Sequence, residues 1–247
     1  KFIPLLENVT DKVTSKVQEQ YELSPYPRWV NLRLHLKPVS ISKVISEIKL
    51  KIFDKKIKNV KMPDILIAGC GTGQHSIETA AKFKGSKVLA VDLSTSSLSY
   101  AKRKTEELSI KNIDYMQADI LDLDKLGKQF DIIESVGVLH HMADPVAGWR
   151  VLTNCLKLGG LMKIGLYSEL ARQDIVKMRK EISKAGFGPS DIEMKSFRNM
   201  LVKSDKSHHK LILNSPDIFS LSTLKDLLFH VQEHRFTITQ IQECLFD

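Results

Sequence analysis

The run Ile65-Leu66-Ile67-Ala68 leads directly into Gly69-Cys70-Gly71-Thr72-Gly73-Gln74, and a second apolar run, Val88-Leu89-Ala90-Val91, closes on Asp92. Between them a helical pattern extends from Gln74 to Phe83 and stops before Gly85. This is a β-loop-α-β unit whose first turn is stripped of side chains. A ligand can approach the backbone there, next to the positive end of a helix. An acid at the tip of the following strand is placed to accept hydrogen bonds from two ribose hydroxyls. The unit suits a nucleoside-containing cofactor.

The glycine spacing narrows the choice. A dinucleotide loop reads G-x-G-x-x-G, and its last glycine serves helix–strand packing beside a pyrophosphate. Here the spacing is G-x-G-x-G, and position 74 holds Gln. A phosphate loop is also absent, because no Lys-Ser or Lys-Thr pair follows the glycines. Further along stand Tyr115-Met116-Gln117-Ala118-Asp119-Ile120, then Phe130-Asp131-Ile132-Ile133-Glu134-Ser135-Val136-Gly137-Val138-Leu139-His140-His141, then Leu156-Lys157-Leu158-Gly159-Gly160-Leu161. On these five segments, in order, the chain resembles the class I S-adenosylmethionine (SAM)-dependent methyltransferases. Singly each has a bland reading: an ordinary glycine turn, a helix cap at Asp92, a turn residue at Asp119.

The resemblance implies a Rossmann-like, mostly parallel sheet with helices on both faces, SAM as cofactor and S-adenosylhomocysteine as its product. Gly69, Gly71 and Gly73 would accommodate the methionine part, Asp92 the ribose and Asp119 the adenine amino group. Cys70, Thr72, Leu93, Ile120 and Ser135 complete the cofactor set expected from the same motifs.

Length and composition set outer bounds. A chain of 247 residues can hold one large domain, or a domain with a substantial appendage. No apolar run approaches the ~18 residues of a membrane span, and no secretory pattern opens the chain. Three scattered cysteines, Cys70, Cys155 and Cys244, lack metal spacing and point to reduced thiols in the cytoplasm. The excess of 37 basic over 29 acidic residues gives +8, which can attract nucleic acid or anionic metabolites. The densest cluster, Lys49 to Lys61, reads as a solvated face before the first strand. The chain opens with Lys, as a piece of a longer polypeptide would.

Three regions follow from the pattern. Residues 1–60 read as an N-terminal helical cap over the open sheet edge, with helices at 9–21 and 42–53. Residues 61–168 form the SAM-binding core. Strands are expected at 64–68, 87–91, 113–117, 130–136 and 160–167, and helices at 73–83, 95–109 and 144–157. Residues 169–247 read as a helical lid, with helices at 169–185, 190–202 and 221–234, a polar loop at 203–210 and a capping box Thr239-x-x-Gln242. A complete fold of the resembling family has seven strands. Five are found here, so the last pair is expected to be missing.

Methyl transfer from a sulfonium needs proximity, orientation and exclusion of water. A base is needed only where the nucleophile holds its proton. The end of strand four carries Ser135-Val136-Gly137-Val138, without the Pro-Pro-Tyr-like or Pro-Cys residues of enzymes that methylate nucleobases. Leu139-His140-His141-Met142 instead resembles small-molecule methyltransferases, with His140 or His141 as candidate base. His230-Val231-Gln232-Glu233-His234 reads as H-x-x-E-H, but no third ligand is identifiable and no metal is assigned. Together with Tyr21-x-x-x-Pro25-Tyr26-Pro27-Arg28-Trp29 and Gly165-Leu166-Tyr167-Ser168, the histidine segment resembles a little-characterised bacterial methyltransferase group often fused to tetratricopeptide repeats. In that resemblance both segments face the cleft. Tyr26 and His230 then join the catalytic candidates, and Arg28 pairs with a carboxylate of SAM or substrate. The expectation is a cytoplasmic SAM-dependent methyltransferase acting on a small molecule or a protein side chain, with no membrane partner. The competing readings are an RNA methyltransferase and a silent SAM-binding scaffold.

Overall fold

The computed structural model describes residues 2–32, 34–35 and 37–246. Lys1, Arg33, Leu36 and Asp247, which fall within the expected cap and lid regions, lie outside the described residues. Five strands, β1 (Asp64–Ala68), β2 (Lys87–Asp92), β3 (Ile113–Gln117), β4 (Phe130–Val136) and β5 (Leu156–Gly165), form one sheet in the order β3-β2-β1-β4-β5. Every pairing between them is parallel. A parallel sheet must be covered on both faces, and its central strands are accordingly continuous apolar runs. Ile65, Leu66, Ile67 and Ala68 of β1 are entirely buried. This is the Rossmann-like architecture expected from the sequence, and its strand order reverses between β1 and β4.

The crossovers are helical. α3 (Gln74–Lys82) joins β1 to β2, α4 (Thr95–Glu107) joins β2 to β3, and α5 (Pro145–Asn154) joins β4 to β5. Ser94 caps α4 by accepting from the Ser97 amide, and Asp144 caps α5 through the amides of Val146 and Ala147. β5 begins earlier than its expected bound of 160, because the chain turns through Leu156–Gly160 already paired with β4 at Phe130.

The N-terminal region departs from the expected edge cover. α1 (Lys12–Leu23) lies at the carboxyl end of the strands, where Gln18 donates to the carbonyl of Leu93 at 3.0 Å. α2 (Ile41–Glu47) packs Ile41, Val44 and Ile45 into the core shared with Ile65, Phe83 and Ile132, on a face of the sheet. The β3 edge is met instead by the extended residues 4–6, with Gln117 N–H to Pro4 O at 2.8 Å and Leu6 N–H to Gln117 O at 2.9 Å.

After β5 come α6 (Gln173–Ala185), α7 (Asp191–Val202), α8 (Ser207–Leu213), α9 (Leu221–Leu228) and α10 (Ile238–Phe246). α6 to α9 share an apolar core that includes Met178, Ile182, Met194, Phe197, Leu224 and Phe229. Residues 207–210 are helix where a polar loop was expected, because buried His209 supplies a core position that reads as polar. The helix expected to run to 234 ends at Leu228. Beyond it, residues 230–236 are drawn out as a strap by backbone bonds to other segments: His234 N–H to His140 O at 2.7 Å, and Phe236 N–H to Tyr167 O at 2.8 Å. His230 and His234 therefore share no helix face. The capping box of α10 is Thr237 with Gln240, two residues earlier than expected: Thr237 N–H donates to Gln240 Oε1, and Gln240 N–H to Thr237 Oγ1. Among the described residues no sixth or seventh strand follows β5; residue 168 makes a single bridge to 236. No helix among them is long and apolar enough to cross a membrane.

Candidate active site

A cavity of about 480 Å³ opens at the carboxyl ends of the strands, at the reversal of strand order where ligands of open α/β sheets bind. Gly69, Cys70, Gly71, Asp92, Leu93, Asp119 and Ile120 all line it. A Cβ on Gly71 would stand 2.3 Å from the carbonyl oxygen of Tyr26, and φ there is +52°. Only glycine allows the N-terminal segment and the loop to approach this closely.

Both acids at the strand ends have defined work. Asp92 accepts from Gly71 N–H at 2.7 Å and from Ser94 N–H at 2.9 Å, which ties the glycine loop to the start of α4. Burial pushes its carboxyl above the ordinary value, against the pull of those two amides. Asp119 accepts from Leu121 N–H at 3.0 Å and is likewise raised by burial. Each retains lone pairs for a ligand. On β4, Glu134 accepts from His75 Nε2 at 2.8 Å and Thr79 Oγ1 at 2.8 Å. Burial opposes its ionisation, yet the two donors hold its carboxyl below the usual range.

The Tyr-Pro-Arg-Trp segment is docked on the loop through Thr72. The Thr72 amide donates to Tyr26 O at 3.1 Å and its hydroxyl to Pro27 O at 2.6 Å, while Trp29 Nε1–H reaches Thr72 Oγ1 at 3.0 Å. Thr72 is thereby consumed and, like Gly73, is absent from the cavity wall. Arg28 is exposed and does not border the cavity. Ser135 is fully buried, with an unpartnered hydroxyl, and also misses the wall. Both therefore lie off the cavity wall, Arg28 on the surface and Ser135 packed within the sheet.

Besides the glycine loop and the strand-end acids, the cavity is bordered by Tyr21, Tyr26, His141, Tyr167 and Asp226. The two adjacent histidines have different surroundings. His140 is buried against the Tyr167 ring, centroids 3.6 Å apart, with no partner on either nitrogen, and burial lowers its pKa to about 2. It does not reach the cavity. His141 does, and its Nδ1 lies 2.7 Å from the carbonyl of Gln232. A carbonyl only accepts, so Nδ1 carries the proton and Nε2 is bare. Burial lowers the pKa of His141 to about 4, so it is neutral at pH 7.

The same residue of the strap sets the second imidazole. Gln232 N–H donates to His230 Nδ1 at 3.1 Å, which leaves the proton on Nε2. That Nε2–H meets the Tyr21 oxygen at 3.1 Å, and the Tyr21 hydroxyl donates to Asp226 Oδ1 at 2.7 Å. Burial and the neighbouring His141 lower the His230 pKa to about 2. The rings of His141 and His230 stack at 3.6 Å, tilted by 20°. His141, His230 and Asp226 offer ligand atoms within 4.8 Å of one another. Stacked imidazoles aim their in-plane lone pairs side by side, however, and His230 Nε2 is committed to Tyr21. The trio is therefore a poor cage for one ion.

The strap is anchored by Glu233, whose side chain is 2% exposed. It pairs with Arg172 and lies 3.6 Å from Arg235 and 3.9 Å from Arg179. Arg172 also covers a face of Tyr167, at 3.7 Å from the ring centroid. Tyr21, Tyr167 and Asp226 were not among the site residues expected from sequence. Asp226 carries no signal of its own in the sequence, since on a helix it falls opposite the apolar stripe of Leu224, Leu227 and Leu228.

Fold and cavity together define a Rossmann-like α/β domain open at the strand ends. Residues 65–160 match the family described as Methyltransferase domain. An uncharacterized protein of Synechococcus is 34% identical over 122 residues, covering 49% of this chain and 29% of the relative. The ubiquinone biosynthesis O-methyltransferase of Coxiella burnetii is 35% identical over 130 residues, 53% of this chain and 51% of that protein. The chain thus spans about half the length of the second relative and under a third of the first. In fold it is similar to PKMT2 from Rickettsia typhi. The complex of that protein with AdoHcy gives a TM-score of 0.61 at 20% identity, covering 74% of this chain and 38% of that one.

Proposed function

We propose that this chain is a SAM-dependent methyltransferase whose acceptor, a small molecule or a protein side chain, loses its proton to His141. The observation that carries this reading is one cavity bordered by a side-chain-free loop, two acids at adjacent strand ends and a bare imidazole nitrogen. The residues fit the cofactor: a Cβ would fill the Gly71 cradle, and Asp92 and Asp119 keep acceptor sites for hydroxyl and amino donors. Gly69, Cys70 and Gly71 would hold the methionine part, Asp92 with Leu93 the ribose, and Asp119 with Ile120 the adenine. Bound SAM supplies an electrophilic methyl group on a good leaving group. The protein then orients the acceptor and excludes water. His141 Nε2 takes the acceptor proton, and the Gln232 carbonyl steadies the imidazolium that forms. Tyr26 borders the same cavity from the docked N-terminal segment and completes its closure.

The region 169–247 serves as a lid over a core of 61–168, with 1–60 as the cap. Free Cys70, Cys155 and Cys244 support a reducing, cytoplasmic setting. A link to tetratricopeptide repeats rests on the sequence resemblance.

Calorimetric titration with S-adenosylhomocysteine tests the reading. Micromolar binding is expected, and Asp92→Ala, which also frees the Gly71 amide, is expected to abolish it. A folded wild-type chain that does not bind would refute the proposal. Binding without transfer to any acceptor would favour the silent scaffold.

A further inference from the structure

We infer that the acceptor is an amine, presented in protonated form to a slot between Asp226 and His141. This rests on the methyltransferase reading and adds the substrate class. Asp226 is 5% exposed, borders the cavity and receives one hydrogen bond, from Tyr21 to Oδ1. Among the described residues it has no ion pair with any Lys, Arg or His. The guanidinium that acts on it, Arg172, is committed to Glu233. The other charges that act on it, Asp217 and Glu233, are of the same sign. An ionised carboxylate buried without a cation costs several kcal/mol and is normally paired. Here the residue borders a cavity instead, and its second oxygen has no hydrogen-bond donor among the described residues.

Beside it stands a second acceptor without a donor, the bare Nε2 of His141. The two residues bring their ligand atoms within 4.8 Å of one another. A group that satisfies both must offer two donors, and to neutralise Asp226 it must be positive. A hydroxyl has one donor and no charge. A primary or secondary ammonium has at least two donors and the charge. A divalent ion is disfavoured by the stacking of His141 on His230.

The reaction balances. One proton passes from the ammonium nitrogen to His141 Nε2, and the freed electron pair forms the N–CH3 bond. The S–CH3 bond breaks with its pair going to sulfur. The product takes up its charge as an N-methylammonium, and the proton on His141 leaves to solvent. Asp226 holds the nitrogen before and after transfer.

The test uses the full chain loaded with S-adenosylhomocysteine and three probes of similar shape: benzylamine, benzyl alcohol and benzyltrimethylammonium. Benzylamine is expected to bind at least about tenfold more tightly than either of the others, since the alcohol lacks the charge and the quaternary ion lacks N–H donors. Asp226→Asn is expected to erase the preference, while Tyr21→Phe retains it. Equal affinities in the wild type, a preference that survives Asp226→Asn, or failure of benzylamine to bind the loaded chain would each overturn the inference. The comparison among probes stands on the wild type, so it holds even where a variant does not fold. Failure to bind S-adenosylhomocysteine would instead refute the methyltransferase reading itself.

Discussion

Asp226→Asn should make the protein more stable above neutral pH. Burial raises the Asp226 carboxyl from 3.8 to about 6, and the hydrogen bond from Tyr21 only partly offsets it. The sign follows from proton binding. Below the unfolded value the group is protonated in both states and contributes no penalty. Between the two values the unfolded chain releases its proton first, so stability falls as pH rises. Above the folded value the loss is constant. A pKa near 6 in place of 3.8 corresponds to about 3 kcal/mol for holding the charge inside. Asn keeps an oxygen for the Tyr21 hydroxyl and carries no charge. At 2–4 °C per kcal/mol for a chain of this length, the variant should melt about 6–12 °C higher near pH 8. Near pH 4 the two proteins should melt together. Thermal denaturation across this range, followed by circular dichroism, measures the difference. A variant less stable at pH 8, or a gap independent of pH, would refute the claim that Asp226 is an unpaired buried charge.

Three further outcomes follow from the geometry. Gly71→Ala places a methyl 2.3 Å from the Tyr26 carbonyl at positive φ, and should cost more than about 2 kcal/mol in denaturant unfolding and weaken S-adenosylhomocysteine binding. Glu233→Gln leaves Arg172, Arg179 and Arg235 around a neutral group, and urea titration should show a loss of about 3–5 kcal/mol. His141→Ala should lower the methyl-transfer rate about 10²- to 10⁴-fold with S-adenosylhomocysteine affinity unchanged, whereas an unaltered rate would remove it as the base.

The parallel core was legible in the sequence because its information is local. β1, β3 and β4 appear at their expected bounds, since an apolar run between glycines and acids leaves little choice of conformation. The strand-end rim of the cavity was legible for the same reason: Gly69, Gly71, Asp92 and Asp119 are each fixed by their own turn. The rest of the wall was not. The segment after Leu228 has helical periodicity and good helix formers, yet its amides at His234 and Phe236 donate to the carbonyls of His140 and Tyr167, and its Phe236 carbonyl accepts from Glu169, all remote in sequence. Two consecutive histidines read as equivalent, and only the fold turns His141 to the cavity while burying His140 against Tyr167. Tyr21 and Asp226 lie two hundred residues apart in the chain, and no pattern within either segment announces their hydrogen bond.

Gln232 gives the proposed base a conditional existence. One residue donates its amide to His230 and offers its carbonyl to His141, so both tautomers are written by the position of the strap. Were residues 230–236 to swing outward, the imidazoles would return to water and titrate near the ordinary histidine value. In mildly acidic surroundings they would then be cationic, with no lone pair to offer. With His141 as the proposed base, closure and competence become the same event: the backbone that shuts the chamber also arms it.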